Sequence, residues 1–406
     1  MARVTHDPRA LLRAAFDAAV QAANPEAAVR LNRPARPAGR AVVIASGKAA
    51  PAMLRGLADW GEVTGVAVTT AGQMLPEHRG IRWLEAAHPL PDQRSVAAGR
   101  ALLSAVGGLS SDDLVLCLIS GGSSALCCVP NQIALEGKIA LTGALLRSGA
   151  SITEINTVRK HLSGIKGGRL ALAAQPARLV ALIVSDVVGD EVSAIGSGMT
   201  APDPTTSEDA LEVLRRYGIP APQTLSETPK PDDPIFSRVT NRVILSNRTS
   251  LRAAQRVLEG RGWRVTALDD AVTGDSRLAA TAQAALAKES GTATLSGGET
   301  TVQLGRAVLD QSGRGGRNLE FLLQLVLEDS GLWSLSADSD GIDGSSDAAG
   351  AIVTPDSYQR ALTLGLEPLD FQRRNDAHGF FAALGDLVVT GPTGTNVGDI
   401  RAILKP

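Results

Sequence analysis

Three short, fully apolar segments constrain the fold of this chain more than any other feature. They lie in Arg40–Ser46, Asp113–Ser120 and Arg178–Ser185, and segments with helical spacing of apolar residues separate them. A strand that is apolar on both faces must be covered on both faces, which is typical of parallel sheets flanked by helices. The sequence therefore predicts an α/β fold, in which each domain has a mainly parallel or mixed sheet with helices on its faces.

A proline-rich stretch, Ile219–Thr240, interrupts this pattern. It contains five prolines and few periodic apolar residues, as expected for an extended and fairly stiff linker. The chain has 406 residues, which is enough for two domains with a core in each. We therefore predict an N-terminal α/β domain over 1–240 and a C-terminal α/β domain over 241–406, with a small-molecule site in the cleft between them.

Composition excludes several classes of function. The net charge is −2 and 3% of residues are aromatic, which argues against a nucleic-acid binder. The three cysteines have neither a disulfide-framework count nor zinc-site spacing. No apolar run is long enough to span a bilayer, and the first residues lack the apolar core of an export signal. We expect a cytoplasmic protein without nucleic-acid or membrane partners; a homodimer stays open.

Small polar residues followed by glycine, aspartate or asparagine stand at the end of one predicted strand after another. Ligands of open α/β sheets bind beyond the carboxyl ends of the strands, so this repetition predicts binding sites along that edge. Ordinary turns between strands and helices use the same residue types, which is the alternative explanation. The strand ends are Ser46-Gly47, Ser120-Gly121, Ser185-Asp186, Ser246-Asn247, Ser296-Gly297, Ala337-Asp338 and Thr390-Gly391.

Two cations stand where an anion would be bound. Arg317 lies between Gly316 and Asn318 at the start of a predicted helix, where free N–H groups favour an anion; the alternative is a glycine hairpin with a solvated arginine. Lys48 follows Gly47 at a strand end and could neutralise charge in a phosphoryl-transfer transition state. Its alternative is a surface lysine.

Further charged residues complete this picture. A basic segment at 159–169 could hold a triphosphate or a substrate carboxylate, or could be a solvated loop. Asp186 and Asp190 could hold Mg²⁺, and one of the aspartates could instead accept the proton of a substrate hydroxyl. The aspartates of 338–347 resemble a calcium loop only superficially, because Ala349 stands where its glutamate would be. Basic groups, glycine turns and carboxylates together predict a protein that binds a phosphorylated ligand with Mg²⁺.

Several catalytic fingerprints are missing from the sequence. It contains no G-x-G-x-x-G, G-x-x-x-x-G-K-[ST], G-x-S-x-G or H-E-x-x-H. The usual dinucleotide, Walker-type, serine-hydrolase and zinc-protease sites are therefore not predicted.

Long motifs, by contrast, run through nearly the whole chain. They are INTVRKHLSGIKGGRLA (155–171), SDVVGDEVSAIGSG (185–198), PDPTT (202–206), SGGETTV (296–302), GRGGRNLE (313–320), DGIDGSSDAAGAI (340–352) and GDLVVTGPTGTNVGDI (385–400). Together they resemble the glycerate 2-kinase family with a MOFRL C-terminal domain. The resemblance implies ATP-dependent phosphorylation of D-glycerate to 2-phosphoglycerate with Mg²⁺, at an active site in the cleft between two α/β domains.

The resemblance also implies roles for particular residues. A lysine in the G-K-A-A turn and an arginine in the G-G-R-N turn are central in that family, and they match Lys48 and Arg317. With the arguments above, the predicted catalytic residues are Lys48, Arg317 and Asp186, and the predicted Mg²⁺ ligands are Asp186 and Asp190. The predicted nucleotide- or phosphate-binding residues are Gly47, Ser120, Gly121, Gly122, Ser123, Lys160, Lys166, Gly297, Gly298, Glu299, Gly316 and Asn318.

Two other functions stay open at this point. Some members of the family carry the name hydroxypyruvate reductase, which implies a nicotinamide cofactor. A non-catalytic sensor of phosphorylated three-carbon acids would use the same binding residues without turnover.

Overall fold

The computed structural model describes residues 7–268, 271–303 and 313–406. The chain divides into two compact units. The N-terminal unit contains Pro25–Ser185 and Asp190–Ile244; the C-terminal unit contains the segment up to Asn24, Asp186–Gly189 and Leu245–Pro406. Within the described ranges, no helix combines the length and apolar character needed to cross a bilayer.

Strands and helices alternate through the first part of the chain, as the apolar segments predicted. The elements up to residue 245 are α1 (Pro8–Ala22), α2 (Pro25–Asn32), β1 (Ala41–Ser46), α3 (Ala50–Arg55), β2 (Thr64–Thr70), β3 (Ile81–Ala86), α4 (Gln93–Ala105), β4 (Leu114–Ile119), α5 (Ser123–Leu126), α6 (Leu135–Ser148), α7 (Ile152–His161), α8 (Arg169–Ala173), β5 (Arg178–Val184), α9 (Ser207–Arg216) and β6 (Val239–Leu245).

Strands and helices also make up the rest of the chain, without strict alternation. The later elements are α10 (Asn247–Glu259), β7 (Arg264–Ala267), α11 (Ser276–Ala284), β8 (Thr292–Ser296), α12 (Arg317–Leu327), β9 (Trp333–Asp338), β10 (Gly350–Val353), α13 (Ser357–Thr363), α14 (Pro368–Arg373), α15 (Ala377–Leu384), β11 (Leu387–Val388) and β12 (Asp399–Lys405). The sequence also has a short segment of alternating residues at Thr300–Leu304, which ends outside the described residues; its described part contains a single bridge, at Thr301.

The sheet of the N-terminal unit has the strand order β3-β2-β1-β4-β5-β6. The pairs from β3 to β5 are parallel, and every residue of β1 and β4 is buried, which confirms the predicted covered sheet. The chain builds outward from β1 to β3 and then returns to place β4 on the other side of β1. Doubly wound nucleotide-binding sheets have this order, and their ligand crevice lies at the reversal, here between β1 and β4.

The sheet of the C-terminal unit is mixed, with the order β11-β10-β9-β12-β8-β7. Strand β12 is antiparallel to both β8 and β9, so β8 and β9 run parallel to each other. The register places Asp399 opposite Asp338 and Arg401 opposite Ser296. The carboxyl ends of β8 and β9 therefore meet the start of β12 at one edge of the sheet.

The proline-rich stretch is more ordered than a linker. It contains a short 3₁₀ helix, Pro234–Arg238, and the start of β6. Thr228 is buried and donates a hydrogen bond from its hydroxyl to Asp203 (3.1 Å), so the stretch packs on the N-terminal unit. The boundary near Thr240 stays a prediction, as does an active site between the domains.

Helix α1 belongs to the C-terminal unit although it comes first in the chain. Asp7 caps it by accepting a hydrogen bond from the N–H of Arg9 (3.0 Å), and Pro8 occupies its first position. Its apolar face, which includes Phe16, packs into a core with Leu295 and Leu404. Its position at the start of the chain does not reveal which sheet it covers.

Replacement of Phe16 by alanine tests this packing. Phe16 is 1% exposed, so Phe16→Ala should lower the free energy of unfolding by about 3–5 kcal/mol through lost burial and a cavity. Urea unfolding followed by tryptophan fluorescence measures the change. Arg13→Ala, on the exposed face of the same helix, is the control and should change the midpoint little; equal effects of the two variants would contradict the packing.

Candidate functional site

The turns after β1 and β4 are hydrogen-bonded to each other at the reversal point of the N-terminal sheet. The N–H of Lys48 donates to the carbonyl of Gly121 (2.9 Å), and the N–H of Ala49 donates to the hydroxyl of Ser120 (3.0 Å). Gly47 has a φ of +122°, and a Cβ there would lie 2.1 Å from the Ser120 hydroxyl oxygen. Only glycine allows the two turns to approach this closely.

Lys48, in the turn after β1, lies beside Gly122, in the turn after β4. A Cβ on Gly122 would lie 3.5 Å from Cγ of Lys48 and 3.3 Å from Cδ2 of His88, so both side chains lie beside this position. Lys48 is half-buried, which places its stem against the turn rather than free on the surface. The hydroxyl of Ser123 is buried and binds the carbonyl oxygens of Ser46 (2.8 Å) and Ser120 (2.6 Å). Ser120 and Ser123 therefore use their hydroxyl groups to hold the two strand ends together.

A cluster of buried cations lies next to these turns. Lys166 is 1% exposed, and its Nζ donates to the carbonyl oxygen (2.7 Å) and the hydroxyl (3.1 Å) of Ser124. The guanidinium of Arg159, from the last turn of α7, donates to the same hydroxyl. Because both cations donate to it, the Ser124 hydroxyl must donate its own proton to Ser197 (2.8 Å).

The charge of this cluster is poorly compensated. Lys160 pairs with Asp203 (3.3 Å), but in the described parts of the chain no carboxylate pairs with Lys138, Arg159 or Lys166. Burial, reinforced by the charges of Arg159 and Lys138, lowers the pKa of Lys166 well below its usual range. The predicted alternative of a solvated loop is therefore wrong for Lys166.

Lys138 is a member of this cluster that sequence reasoning missed. It lies on α6 among the buried residues Leu135, Leu141 and Leu145, and its Nζ donates to the carbonyl oxygen of Leu162 (2.6 Å). Burial lowers its pKa to about 8. The available signal was a lysine on the apolar face of a predicted helix.

Two other residues of the predicted basic segment have structural partners. The ring of His161 is fully buried, with Nδ1 next to the carbonyl oxygen of Thr157 (2.8 Å). Arg169 donates to the carbonyl oxygens of Lys160 (2.9 Å) and Ser226 (2.9 Å), which ties the basic segment to the proline-rich stretch.

Asp186 and Asp190 follow β5 but are grouped with different units. Asp186 is half-buried, and its Oδ2 accepts a hydrogen bond from the amide of Asn396 (3.0 Å) within the C-terminal unit. No three histidine, cysteine or acidic side chains among the described residues are arranged to hold a metal. A Mg²⁺ ion here would therefore take one or two carboxylates and complete its shell with phosphate oxygens and water, as Mg²⁺ usually does.

Arg317 lies at the centre of the charged edge of the C-terminal sheet, where the carboxyl ends of β8 and β9 meet the start of β12. It is the first residue of α12, and its side chain is 19% exposed. Its Nε lies 2.9 Å from Asp399, Nη2 lies 2.7 Å from Asp338 and Nη1 lies 3.3 Å from Glu299. Burial alone would lower the pKa of this guanidinium, but the neighbouring carboxylates raise it well above its ordinary value. The predicted alternative of a solvated arginine is wrong.

The start of α12 binds an internal anion. The carboxylate of Asp343 accepts hydrogen bonds from the N–H groups of Asn318 (3.1 Å) and Leu319 (2.9 Å). A Cβ on Gly316 would lie 2.4 Å from Oδ1 of Asp343, so the glycine is needed for this approach. These two N–H groups, predicted to favour a ligand anion, are therefore occupied by the protein itself. The amide of Asn318 is buried and donates to Asp399 (2.8 Å).

Asp399 and Arg401 belong to the charged edge of the C-terminal sheet but were not predicted from the sequence. Both are fully buried and ion-paired with each other, and Nη1 of Arg401 donates to the carbonyl oxygen of Gly297 (2.9 Å). They stand at the start of β12, whereas the predicted site residues stand at strand ends, so only the antiparallel pairing brings them to this edge. Glu299, a predicted nucleotide- or phosphate-binding residue, forms an ion pair with Arg317.

The two edges have opposite electrostatic character. The N-terminal unit gathers cations in excess around the β1–β4 reversal, and the C-terminal unit surrounds two arginines with a larger number of carboxylates. The fold is that of a two-unit α/β protein with a cation-rich edge on its N-terminal sheet and a carboxylate-rich edge on its C-terminal sheet.

Comparison with known proteins identifies the family. Residues 11–228 match a domain of unknown function, DUF4147, and residues 292–399 match the MOFRL family. The chain is 36% identical to a D-glycerate 2-kinase of Thermotoga maritima, over 97% of this chain and 98% of that one. The chain belongs to the glycerate kinase family with DUF4147 and MOFRL domains.

A solved structure has the same fold, and another relative carries a different name. The crystal structure of a glycerate kinase from Thermotoga maritima has a TM-score of 0.86 and 35% identity, covering 98% of this chain and 99% of that chain. A protein of Agrobacterium vitis is 46% identical over 98% of this chain and 94% of its own length, and bears the provisional name hydroxypyruvate reductase.

The carboxyl group of Asp343 predicts a pH dependence of stability. Burial raises the pKa of Asp343 from 3.8 to about 6, so between these values the folded chain holds a proton that the unfolded chain releases. Stability must therefore fall as pH rises through this window, by about 3 kcal/mol from this group. Asp343→Asn should remove that part of the slope in urea unfolding measured between pH 4 and pH 6.5.

Asp370→Asn is the matched control for this experiment, because Asp370 is an exposed aspartate on α14. Its pH slope should equal that of the unmodified chain. An Asp343→Asn variant with an unchanged slope would show that Asp343 ionises normally in the folded chain.

Proposed function

We propose that this chain transfers the γ-phosphoryl group of ATP to the 2-hydroxyl group of D-glycerate and releases ADP and 2-phosphoglycerate. The observation that carries the proposal is the Gly47-Lys48 turn at the reversal point, in a chain that matches glycerate kinases over nearly its whole length. A lysine beside a glycine turn at a strand end is suited to phosphate oxygens.

The transfer forms a bond between the 2-hydroxyl oxygen and the γ-phosphorus and breaks the bond between that phosphorus and the bridging oxygen of ADP. We assign to Lys48 and Arg317 the neutralisation of charge on the transferring group. Asp186 accepts the hydroxyl proton or, with Asp190, would hold Mg²⁺, which would lower the charge of the phosphates.

The glycine turns are proposed to contact phosphate through their backbone. The hydroxyl groups of Ser120 and Ser123 are already used internally, so the N–H groups around Gly121 and Gly122 remain the suitable donors. Glu299 pairs with Arg317, and we assign Glu299 and the preceding Gly297 and Gly298 to the same ligand. Direct phosphate contacts by Lys160 and Lys166 stay predictions, since their ammonium groups already bind Asp203 and Ser124.

A hydroxypyruvate reductase is the second candidate, favoured by the provisional name of the Agrobacterium vitis relative. The strand order itself would suit a dinucleotide. However, the turn after β1 reads Gly-Lys-Ala-Ala, and β2 ends in Thr69 and Thr70, where dinucleotide sites of this type have an acidic residue for the ribose. These residues favour phosphoryl transfer over hydride transfer.

Phosphorus NMR of the purified chain with ATP, Mg²⁺ and D-glycerate tests the proposed function. We expect a monoester signal of 2-phosphoglycerate that grows as ADP appears. A 3-phosphoglycerate signal would support a kinase but contradict transfer to the 2-hydroxyl group. If no phosphoryl transfer occurs, oxidation of a reduced nicotinamide with hydroxypyruvate identifies the reductase, and ligand binding without turnover identifies a sensor.

Substitution of the two cations tests their roles. Lys48→Met keeps the length of the side chain but removes its charge, so kcat should fall by about 10²–10³-fold. Arg317→Ala should lower kcat by about 10³-fold if this guanidinium neutralises the transferring group. Steady-state kinetics with a coupled ADP assay measures both.

Each variant has its own control. Lys288→Met removes an exposed lysine and should leave kcat unchanged. Arg317→Ala also leaves buried carboxylates unpaired, so its unfolding midpoint is measured alongside, and Arg317→Lys shows how much activity a single charge restores. A near-normal kcat in Lys48→Met or Arg317→Ala would remove that residue from the mechanism.

A further inference from the structure

We infer that Arg159, next to the hydroxyl group of Ser124, binds the carboxylate of the acceptor acid and so selects a hydroxy acid over a neutral polyol. The inference rests on the proposed function, which it extends by naming the group that recognises the acceptor. It is carried by the geometry of the cation cluster in the N-terminal unit.

The surroundings of Arg159 favour the binding of an anion. Within the described residues, its guanidinium has a single hydrogen-bond partner, the hydroxyl of Ser124, and no ion pair. Burial lowers the pKa of this guanidinium, which shows that water does not fully solvate its charge. A sheltered cation without a counter-ion is costly in the free protein, and an anionic ligand removes that cost.

The shape of the group favours a carboxylate. A guanidinium is planar and has five N–H donors, and Ser124 accepts from Nη2. The remaining donors include pairs that match the two oxygens of a carboxylate in a bidentate arrangement. The Ser124 hydroxyl lies beside this guanidinium. Lys166 holds it there, because its Nζ donates to both the carbonyl oxygen and the hydroxyl oxygen of Ser124. Lys166 is thus a positioning residue for this site.

The charge of Arg159 fits a single negative charge. Lys160 pairs with Asp203, and Lys138 donates to the carbonyl oxygen of Leu162. Burial and the neighbouring cations lower the pKa of Lys166. Arg159 keeps its full positive charge, and no carboxylate among the described residues pairs with it. A monoanionic carboxylate balances it, whereas a triphosphate would bring three or four negative charges to this one cation.

The site adjoins the strand ends where phosphoryl transfer is proposed. Ser124 follows directly after Ser123, whose hydroxyl joins the ends of β1 and β4. An acceptor anchored at Arg159 is thereby kept in the same unit as Lys48 and the Gly121-Gly122 turn. Binding at the carboxylate is the same in the ground state and the transition state, so its loss should raise KM and leave kcat nearly unchanged.

Arg159→Met tests the inference, with Arg100→Met on the exposed face of α4 as the matched control. We expect the KM for D-glycerate to rise about 10–100-fold, as for a lost charge-assisted hydrogen bond, while the KM for ATP stays within about twofold. The ratio of kcat/KM for D-glycerate to that for glycerol, a neutral three-carbon acceptor, should fall by the same factor. Added methylguanidinium should partly restore the KM for D-glycerate.

The outcomes separate this inference from the proposed function. If the unmodified chain transfers no phosphoryl group, the kinase proposal fails, and calorimetric titration of both proteins with D-glycerate still tests Arg159. An unchanged KM or binding constant for D-glycerate in Arg159→Met overturns the inference. A selective rise in the KM for ATP assigns Arg159 to the donor phosphates and overturns it as well.

Ser124→Ala keeps the test decisive if Arg159→Met does not fold. This variant retains the charge of Arg159 but removes the hydroxyl that orients it. We expect a smaller rise in the KM for D-glycerate, again without a change for ATP. An unchanged KM for D-glycerate in a folded Ser124→Ala variant, together with unaltered discrimination against glycerol, would reject the site.

Discussion

The buried carboxylate of Asp399 is the interaction on which the C-terminal unit depends. It is paired with Arg401 on its own strand, with Arg317 at the start of α12 and with the amide of Asn318. A buried charge without partners costs several kcal/mol, so these groups must be in place together. Helix α12 and strand β12 are thereby fixed relative to each other, and Arg401 extends the network to the backbone of the Gly297-Gly298 turn.

The N-terminal unit depends instead on the close approach of two strand ends and on buried cations beside them. Its strand ends approach so closely that Gly47 has no room for a side chain, and the hydroxyl groups of Ser120 and Ser123 bind the main-chain groups exposed there. Around this rigid turn the unit keeps cations that lack carboxylate partners among the described residues. That imbalance is unfavourable in isolation, which is why we connect it with an anionic substrate.

The charge distribution is also relevant to the choice between the two activities for which relatives are named, glycerate kinase and hydroxypyruvate reductase. A hydride-transfer enzyme needs a dinucleotide site, and the threonines at the end of β2 offer no carboxylate for a ribose. A kinase needs cations where phosphate and substrate meet, and Lys48 and Arg159 are cations on one unit near one reversal point. We therefore favour the kinase for this chain.

The sequence by itself determined the local structure and the general chemistry. Apolar runs identified the covered strands, and glycine next to lysine or arginine identified Lys48 and Arg317, because these signals lie within a few residues of one another. Tertiary structure alone decided that α1 covers the C-terminal sheet, that Asp343 occupies N–H groups at the start of α12, that Asp399 lies beside Arg317, and that Lys138 belongs to the buried cation cluster of the N-terminal unit. Those contacts join residues far apart in the chain, and their existence depends on strand order and burial, which no short pattern contains.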